Sequence, residues 1–146
     1  MIKDNRTIVE ITNTHIKILQ IKNQLNAPAL TQLDIIETKN HTDQQLIDLI
    51  TRCSIKTKTT ILVIPKRHVI LKQFSMPSLD ETEIHKMLAL KILQEVPFTQ
   101  EEIVFDKTIL EKTKDWYTKV LAAISPIDQI SNNFNVLQKS GLTVTN

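Results

Sequence analysis

The side chains in this sequence that could do chemistry are dispersed along the chain. The four histidines fall in different predicted elements, a strand start, a loop, a turn and a helix: His15, His41, His68 and His85. None of them has a second histidine or cysteine at the spacing of a zinc ligand pair. Cys53 is the only cysteine, and no sequence pattern gives it a neighbouring base that would form the reactive thiolate. We therefore expect no catalytic residues and no metal site.

Glycine is almost absent, and this limits nucleotide binding. Gly141 is the only glycine in the chain of 146 residues. Phosphate-binding loops use glycines where main-chain amides must approach a phosphate closely. The sequence therefore contains neither a Walker loop nor a dinucleotide-binding fingerprint.

The composition is that of a globular domain without a strong charge bias. Apolar residues make up 41% of the chain, and lysine plus arginine exceed aspartate plus glutamate by only 18 to 16. The charges are interspersed, which disfavours nucleic-acid binding. No apolar stretch approaches the roughly 20 residues of a membrane span, and a lone cysteine cannot form an internal disulfide. We expect a protein of the reducing cytoplasm that does not itself span a membrane.

The N-terminal part predicts a small sheet covered by one helix. Two short runs rich in isoleucine and valine, Thr7–Ile11 and His15–Ile21, are separated by three turn-forming residues, which is typical of a β-hairpin. A third apolar run covers Leu30–Ile36. Thr42 and Gln45 have the spacing of a capping box, and the residues after them have helical periodicity, so a short helix should follow.

The segment that follows a polar stretch predicts a second module. Ser54–Thr60 shows no periodicity and indicates a boundary near residue 57. Beyond it, Ile61–Ile64 and Val69–Phe74 have the composition of two strands. A hairpin is predicted further on, from strands Ile103–Leu110 and Trp116–Ile124 joined by a polar turn over residues 112–115.

A helix is predicted between the strand Val69–Phe74 and the hairpin, and it is the best specified element of the chain. Ser78 and Glu81 have capping-box spacing, Pro97 ends the helix, and its buried stripe has helical spacing: Ile84, Leu88, Ile92 and Val96. Met87, Leu90 and Leu93 widen the apolar surface beyond one stripe. The helix therefore either lies deep between two layers or keeps a second face for a partner.

A last helix is predicted after the hairpin. Ser125 would cap it with Pro126 at its first position, and its buried stripe would be Ile127, Ile130, Phe134 and Leu137. Gly141 would supply its C-terminal stop.

Several segments resemble the type IV pilus assembly protein PilM. They are the block VIPKRHVILKQFSMP, a charged helix ending in EVPF, and the strands EEIVFDKTIL and YTKVLAAISP, and the resemblance spans nearly the whole chain. PilM proteins are actin-like and are similar to the cell-division protein FtsA and to the cytoplasmic part of the type II secretion platform protein L. The resemblance implies an α+β fold, the N-terminal part of an actin-like (ribonuclease H-like) lobe with an inserted strand-helix-strand-strand module.

The resemblance also divides the chain into three segments. Residues 1–57 would form the first actin-like subdomain, with a β-hairpin, a third strand and a short helix. Residues 58–141 would be the inserted module, and residues 142–146 would begin a strand that returns to the first subdomain.

The phosphate loop that the resemblance implies is degenerate. In actin-like ATPases the first hairpin carries an Asp-x-Gly-x-x-x-x-Lys loop, and the matching positions here are Glu10, Thr12 and Lys17. The threonine side chain crowds the place where the main chain should approach a phosphate. The chain also stops before the second phosphate loop and the adenosine-binding segment. We therefore expect no ATP binding and no enzyme activity, with Lys17 an ordinary lysine of the strand surface.

The resemblance implies a cytoplasmic scaffold or adaptor, peripheral to the inner membrane, that binds the cytoplasmic tail of a PilN-like membrane protein. The tail would lie in a groove between the inserted module and the first lobe, held by strand pairing and apolar pockets. The candidate contacts all come from the module: Phe74, Met76, Pro77, Met87, Leu90 and Phe98. Other pilus platform proteins are further candidate partners.

Two other functions stay open. One is a fragment of an actin-like ATPase whose second half lies elsewhere, and the other is a self-associating domain with a sheet edge open to a second copy. The sequence does not distinguish pilus assembly from type II secretion.

Overall fold

Two sheets organise the chain, and each has its own core. The computed structural model describes residues 5–24, 27–113 and 115–145. The chain divides into two units, of which the first runs to Pro65 and resumes at Ile130, and the second is Lys66–Gln129. Asn146, in the predicted returning strand, and Lys114, in the predicted turn over residues 112–115, lie outside the described residues.

The first unit contains a five-stranded sheet and two helices. Its elements are β1 (Arg6–Ile11), β2 (His15–Asn23), β3 (Pro28–Glu37), α1 (Asp43–Arg52), β4 (Thr59–Val63), α3 (Ile127–Lys139, which enters this unit at Ile130) and β8 (Thr143–Val144). The strand order is β3-β2-β1-β4-β8. Neighbours among β1, β2 and β3 are antiparallel, whereas β4 pairs in parallel with both β1 and β8. The predicted hairpin, third strand and short helix are all present.

The helices of this unit cover one face of its sheet. Successive side chains of a strand point to opposite faces, and one set from β1 and β2 forms a core with α1, α3 and the residue before β8: Val9, Ile11, Ile16, Ile18, Ile50, Val136, Leu137 and Leu142. Burial of such side chains is the main stabilising term, at roughly 25 cal/mol per Å² of apolar surface. The opposite set, which includes Ile8 and Leu19, is not part of this core.

The helix ends in this unit follow local sequence signals. Thr42 accepts a hydrogen bond from the Gln45 amide, and the Gln45 side chain accepts one from the Thr42 amide at 2.8 Å, so the predicted capping box is formed. Gly141 follows α3 with a φ of 78°, in the left-handed region that glycine adopts without strain. The Leu142 amide then donates to the Leu137 carbonyl at 3.1 Å, as in a Schellman-type helix end.

The unit boundaries differ from the predicted boundaries at residues 57 and 141. Thr59–Val63 forms β4, which pairs with β1 and so belongs to the first sheet. Most of α3 also belongs to the first unit, because Val136 and Leu137 complete its core. The polar composition before β4 marks a change of element, but it does not indicate which sheet the next strand joins.

The second unit is a three-stranded antiparallel sheet with one helix packed on it. Its elements are β5 (Ile70–Met76), α2 (Glu81–Glu95), β6 (Ile103–Lys112) and β7 (Thr118–Pro126). The strand order is β5-β7-β6. The predicted stripe of α2 is confirmed, since it joins the strands in the core of this unit: Met76, Ile84, Leu88, Ile92, Val96, Ile103, Val120, Ala122 and Ile124.

The start of β7 differs from the prediction. Trp116 was expected to begin this strand, but it is exposed and has a φ of 61°, which a strand does not allow. It belongs to a turn in which the Thr113 amide donates to the Tyr117 carbonyl at 2.7 Å. Val120, Ala122 and Ile124 then alternate with less buried residues, as expected for a strand with one buried face.

The end of β7 also differs from the prediction. Pro126 lies opposite Ile103 in the β6–β7 register and is the last residue of the strand. For this reason α3 begins at Ile127, and Pro126 is not its first residue.

The N-cap of α2 is Asp80, and the predicted cap Ser78 lies outside the helix. The Asp80 carboxylate accepts hydrogen bonds from the Thr82 and Glu83 amides, both at 2.9 Å. The Ser78 hydroxyl donates to the Glu83 carboxylate at 2.7 Å and accepts from the Asp80 amide at 3.0 Å. The capping box predicted from Ser78 and Glu81 is therefore wrong, because a carboxylate two residues later satisfies the first free amides.

Replacing Asp80 with alanine should lower the free energy of unfolding by about 1 kcal/mol, because two helix amides lose their acceptor. Urea unfolding followed by circular dichroism measures this change. The control Glu81→Gln removes a charge from the same turn without removing a capping bond, and should cost about 0.3 kcal/mol. Equal losses in the two variants would contradict the Asp80 cap.

Candidate functional site

The β1–β2 hairpin carries the three positions of the predicted phosphate loop. Glu10 lies on β1, Lys17 lies on β2, and Thr12 begins the turn between them. The Thr12 hydroxyl accepts hydrogen bonds from the His15 amide at 2.9 Å and the Thr14 amide at 3.3 Å, and donates to the His15 carbonyl at 2.9 Å. These two amides already have an acceptor inside the turn and are not free for a phosphate.

The acid and the lysine of this loop bind each other. Glu10 and Lys17 are directly opposed in the β1–β2 register, and Lys17 Nζ lies 3.0 Å from Glu10 Oε1. Both side chains are partly exposed, so the pair adds little to stability. It does place a negative carboxylate beside the lysine, which weakens the attraction of Lys17 for an anion.

Replacing Thr12 with valine should lower the free energy of unfolding by about 1–2 kcal/mol, because the isosteric side chain cannot form the hydroxyl bonds of the turn. Chemical denaturation measures the loss. Thr14→Val is the matched control, since the Thr14 hydroxyl contacts only other side chains at an exposed site, and should cost about 0.5 kcal/mol or less. A Thr12→Val variant as stable as the parent chain would show that the turn does not depend on this hydroxyl.

Calorimetric titration with ATP and Mg²⁺ should detect no binding up to about 1 mM nucleotide, equivalent to a binding free energy weaker than roughly −4 kcal/mol. The reason is that the turn amides and Lys17 already have partners within the hairpin. Binding at micromolar nucleotide would contradict this expectation and favour the ATPase-fragment hypothesis.

The single cysteine has the environment of an inert thiol. Burial raises the pKa of the Cys53 thiol, and the nearby charge of Asp34 raises that pKa further. The thiol therefore stays protonated at neutral pH, where the nucleophilic thiolate is scarce. Its Sγ lies 3.3 Å from the Leu49 carbonyl, to which it donates.

Two kinds of site do not occur in the part of the chain that the structure describes. No group of three histidine, cysteine, aspartate or glutamate side chains comes together there in a way that would hold a metal ion. No helix built from those residues has both the length and the apolar character needed to cross a membrane.

The predicted partner contacts lie in the second unit at different depths. Met76 is fully buried in the core, so its side chain is not on the surface of this chain. Three others are partly buried against that core: Phe74, Met87 and Phe98. Pro77 and Leu90 are exposed, and Leu90 is the most exposed of the large apolar residues of α2, at 67%.

Leu90 is the centre of a small apolar surface on α2. Met87 and Leu93 lie three residues before and after it and border it on the helix, and both are partly exposed. Leu88 and Ile92, two residues to either side, are fully buried, so Leu90 points away from the sheet. We call Met87, Leu90 and Leu93 the outer patch. Leu93 was not among the predicted contacts, although its helical spacing from Leu90 was the signal for it.

Two lysines link α2 to β5, an edge strand of the second sheet. Lys72 Nζ lies 2.6 Å from Glu95 Oε2, and Lys91 Nζ donates to the Ser75 carbonyl at 3.3 Å. The hydrogen bond from Lys72 is the largest cause of the lowered pKa of Glu95. These contacts show that α2 runs antiparallel to β5, while the buried stripe of α2 fixes the direction of the outer patch. They join residues far apart in sequence and leave no local pattern from which they could be predicted.

The sheets and helices have the actin-like ATPase fold. A protein with an actin-like ATPase fold and unknown function from Bacteroides thetaiotaomicron has a TM-score of 0.51 with this chain at 11% identity, covering 97% of this chain and 51% of that one. The cytoplasmic domain of EpsL, an inner-membrane component of the type II secretion system of Vibrio cholerae, has a TM-score of 0.68 at 11% identity, covering 97% and 56%. A PilM–PilN type IV pilus biogenesis complex has a TM-score of 0.79 at 18% identity, covering 94% and 45%. The chain spans about half the length of these solved structures.

The sequence match then identifies the family. The chain belongs to the family of type IV pilus assembly proteins PilM, which matches residues 6–145. No curated protein matches the sequence. The predicted resemblance to PilM and the predicted actin-like fold are both confirmed.

Proposed function

We propose that this chain is a scaffold of a type IV pilus assembly platform that binds the cytoplasmic tail of a PilN-like membrane protein. Membership of the PilM family supports the assembly role. The similarity to a PilM–PilN complex over 94% of the chain supports a PilN-like partner, and it is the observation on which the proposal rests. The lower TM-score with the EpsL domain makes a type II secretion platform the weaker alternative.

The outer patch of α2 is the surface that we assign to the tail. A short peptide gains most of its affinity from a few apolar anchors, and covering an exposed leucine is worth roughly 1.5–3 kcal/mol. Leu90 offers such an anchor because two thirds of it is exposed. Met87 beside it is flexible and adapts to the shape of a partner.

The surroundings of the patch suit a reversible complex. Lys86 and Gln94, one helical turn before and after Leu90, are exposed polar residues. An apolar centre with a polar rim is the usual arrangement of an interface between proteins that also exist apart. The patch is small, so we expect binding in the micromolar range.

We further propose that this scaffold acts by binding alone and is held at the inner membrane by its partner. For a cytoplasmic protein, binding the tail of a membrane protein is sufficient to keep it at the surface of that membrane. The closed turn at Thr12 and the Glu10–Lys17 pair support a role without nucleotide chemistry. Other proteins of the platform are further candidate partners of the same surface.

The Leu90→Asp variant should bind a synthetic PilN-like tail peptide at least about tenfold more weakly than the parent chain, because a charge replaces the apolar anchor. Fluorescence anisotropy of a labelled peptide measures the dissociation constant. Leu110→Asp is the matched control, since Leu110 is also an exposed leucine of the second unit, at 50%, but lies on β6. This control should bind the peptide like the parent chain.

Two results would count against these proposals in different ways. Parent protein that binds no PilN-like tail even at high micromolar peptide would overturn the scaffold proposal. If Leu90→Asp and Leu110→Asp weaken binding equally, the chain still binds the partner, but the outer patch is not the binding site. Thermal unfolding of each variant shows whether a loss of binding reflects a loss of fold.

A further inference from the structure

The strand β3 is an edge of the first sheet and carries large apolar side chains that are exposed. It is ten residues long and, among the described strands, pairs only with β2. Its large apolar side chains Leu30, Leu33 and Ile35 are 58%, 50% and 59% exposed. All three belong to the sheet face that α1 and α3 do not cover.

β3 has few of the usual protections of an edge strand. Natural sheets blunt their edges with charged side chains, especially lysine, with proline or bulges, or by keeping the strand short. β3 has no lysine, its one proline is its first residue, Pro28, and Asp34 is the only charged side chain in its middle. The register shift opposite Gln20 and Ile21 affects only the first part of the strand, so residues 32–37 form a regular edge.

The hydrogen-bond pattern identifies the main-chain groups that this edge presents. The Thr38 amide donates to the Thr14 carbonyl at 2.8 Å, which makes this pair a hydrogen-bonded one. Antiparallel strands alternate hydrogen-bonded and non-hydrogen-bonded pairs. When the pairs are counted back from Thr38 in the β2–β3 register, Leu33 and Ile35 fall in non-hydrogen-bonded pairs. Their amides and carbonyls therefore point away from β2, toward the open edge.

We infer that β3 pairs with β3 of a second copy of this chain. The strands would run antiparallel around a two-fold axis at Leu33, and the open amide and carbonyl of Leu33 would bond to those of Leu33 in the second copy. Each Leu33 would face Leu33 of the second copy, and each Ile35 would face Thr31. The two sheets would then continue as one, with their uncovered apolar faces on the same side.

Side-chain complementarity selects this register over its neighbours. An axis at Asp34 would place two aspartates opposite each other, and like charges in that position are destabilising. An axis at Ile35 would place Glu37 opposite Leu33. With the axis at Leu33, Asp34 faces Gln32 of the second copy. Within one chain Gln32 Nε2 already donates to Asp34 Oδ2 at 2.7 Å, so the same donor and acceptor can bond between copies.

A shallow depression lies beside the open edge. It has a volume of about 440 Å³ and runs along β3, lined by residues 32–36 and by Arg52, Cys53 and Ser54 at the end of α1. Arg52 makes no ion pair within the described part of the chain, and Asp34 lines the same depression. A two-fold interface must be complementary to itself, and an acid together with a base on one patch meets this condition.

Sedimentation equilibrium of the 146-residue chain should show a reversible monomer–dimer equilibrium, with dissociation in the range of about 10 µM to 1 mM that a small interface gives. Ile35→Lys should weaken the dimer at least about tenfold, because a two-fold interface carries the charge twice. Leu110→Lys, which changes an exposed leucine on the second sheet, at 50%, should leave the equilibrium unchanged.

Three outcomes of this experiment would overturn the inference. A chain that remains monomeric to millimolar concentration has no such dimer. Equal weakening by Ile35→Lys and Leu110→Lys would place self-association elsewhere. A monomer in which Ile35→Lys weakens binding of the PilN-like tail would make the partner, and not a second copy, the occupant of this edge.

Cysteine cross-linking tests the register separately. In a Cys53→Ser background, Leu33→Cys should form a disulfide dimer with oxidised glutathione, because directly opposed residues have Cα atoms about 5.5 Å apart. Ile35→Cys should not, because the two copies of residue 35 would lie roughly 13 Å apart along the strands. The register would be wrong if Ile35→Cys forms the disulfide and Leu33→Cys does not. It would also be wrong if the chain dimerises but neither variant forms a disulfide.

Discussion

The parallel pairing of β4 with β1 is the contact on which the rest of the structure depends. It returns the chain to the interior of the first sheet, between β1 and β8, and β8 has no other neighbour there to pair with. The whole second unit is inserted between β4 and the part of α3 that completes the first core. The entropy of closing a loop grows only slowly with its length, so this sheet tolerates a large insertion provided that the β1–β4 ladder forms.

Local patterns predicted the elements whose signals lie within one turn of a helix or one strand. Thr42 and Gln45 cap α1 as their spacing indicates, and Ile84, Leu88 and Ile92 are the buried stripe of α2. Some failures involve contacts that local patterns do not contain. The strand at residues 59–63 joins the first sheet through a partner about fifty residues earlier in the chain. Other failures are local: the Thr113 amide bonds to the Tyr117 carbonyl across the turn that contains Trp116, and Asp80 caps α2 although Ser78 has the capping-box spacing.

The residues of the candidate surface also differ in how far local patterns predict them. Helical spacing places Leu90 opposite the buried stripe, and it is exposed. Met76, by contrast, lies on a strand, where its depth depends on what covers its face, and it is fully buried beneath α2. Strand alternation predicts which residues share a face, but not which face the helix covers. Exposed apolar positions are therefore easier to predict on α2 than on β5.

The Thr12 hydroxyl gives the first hairpin an internal substitute for a bound anion. In a loop that waits for a phosphate, the open amides are satisfied only when the ligand arrives, and the ligand then orders the loop. Here the same chain segment supplies its own acceptor, so the two turn amides have a partner without a ligand. Under the proposed function, contacts made through this unit would follow the concentration of the partner and not the energy charge of the cell.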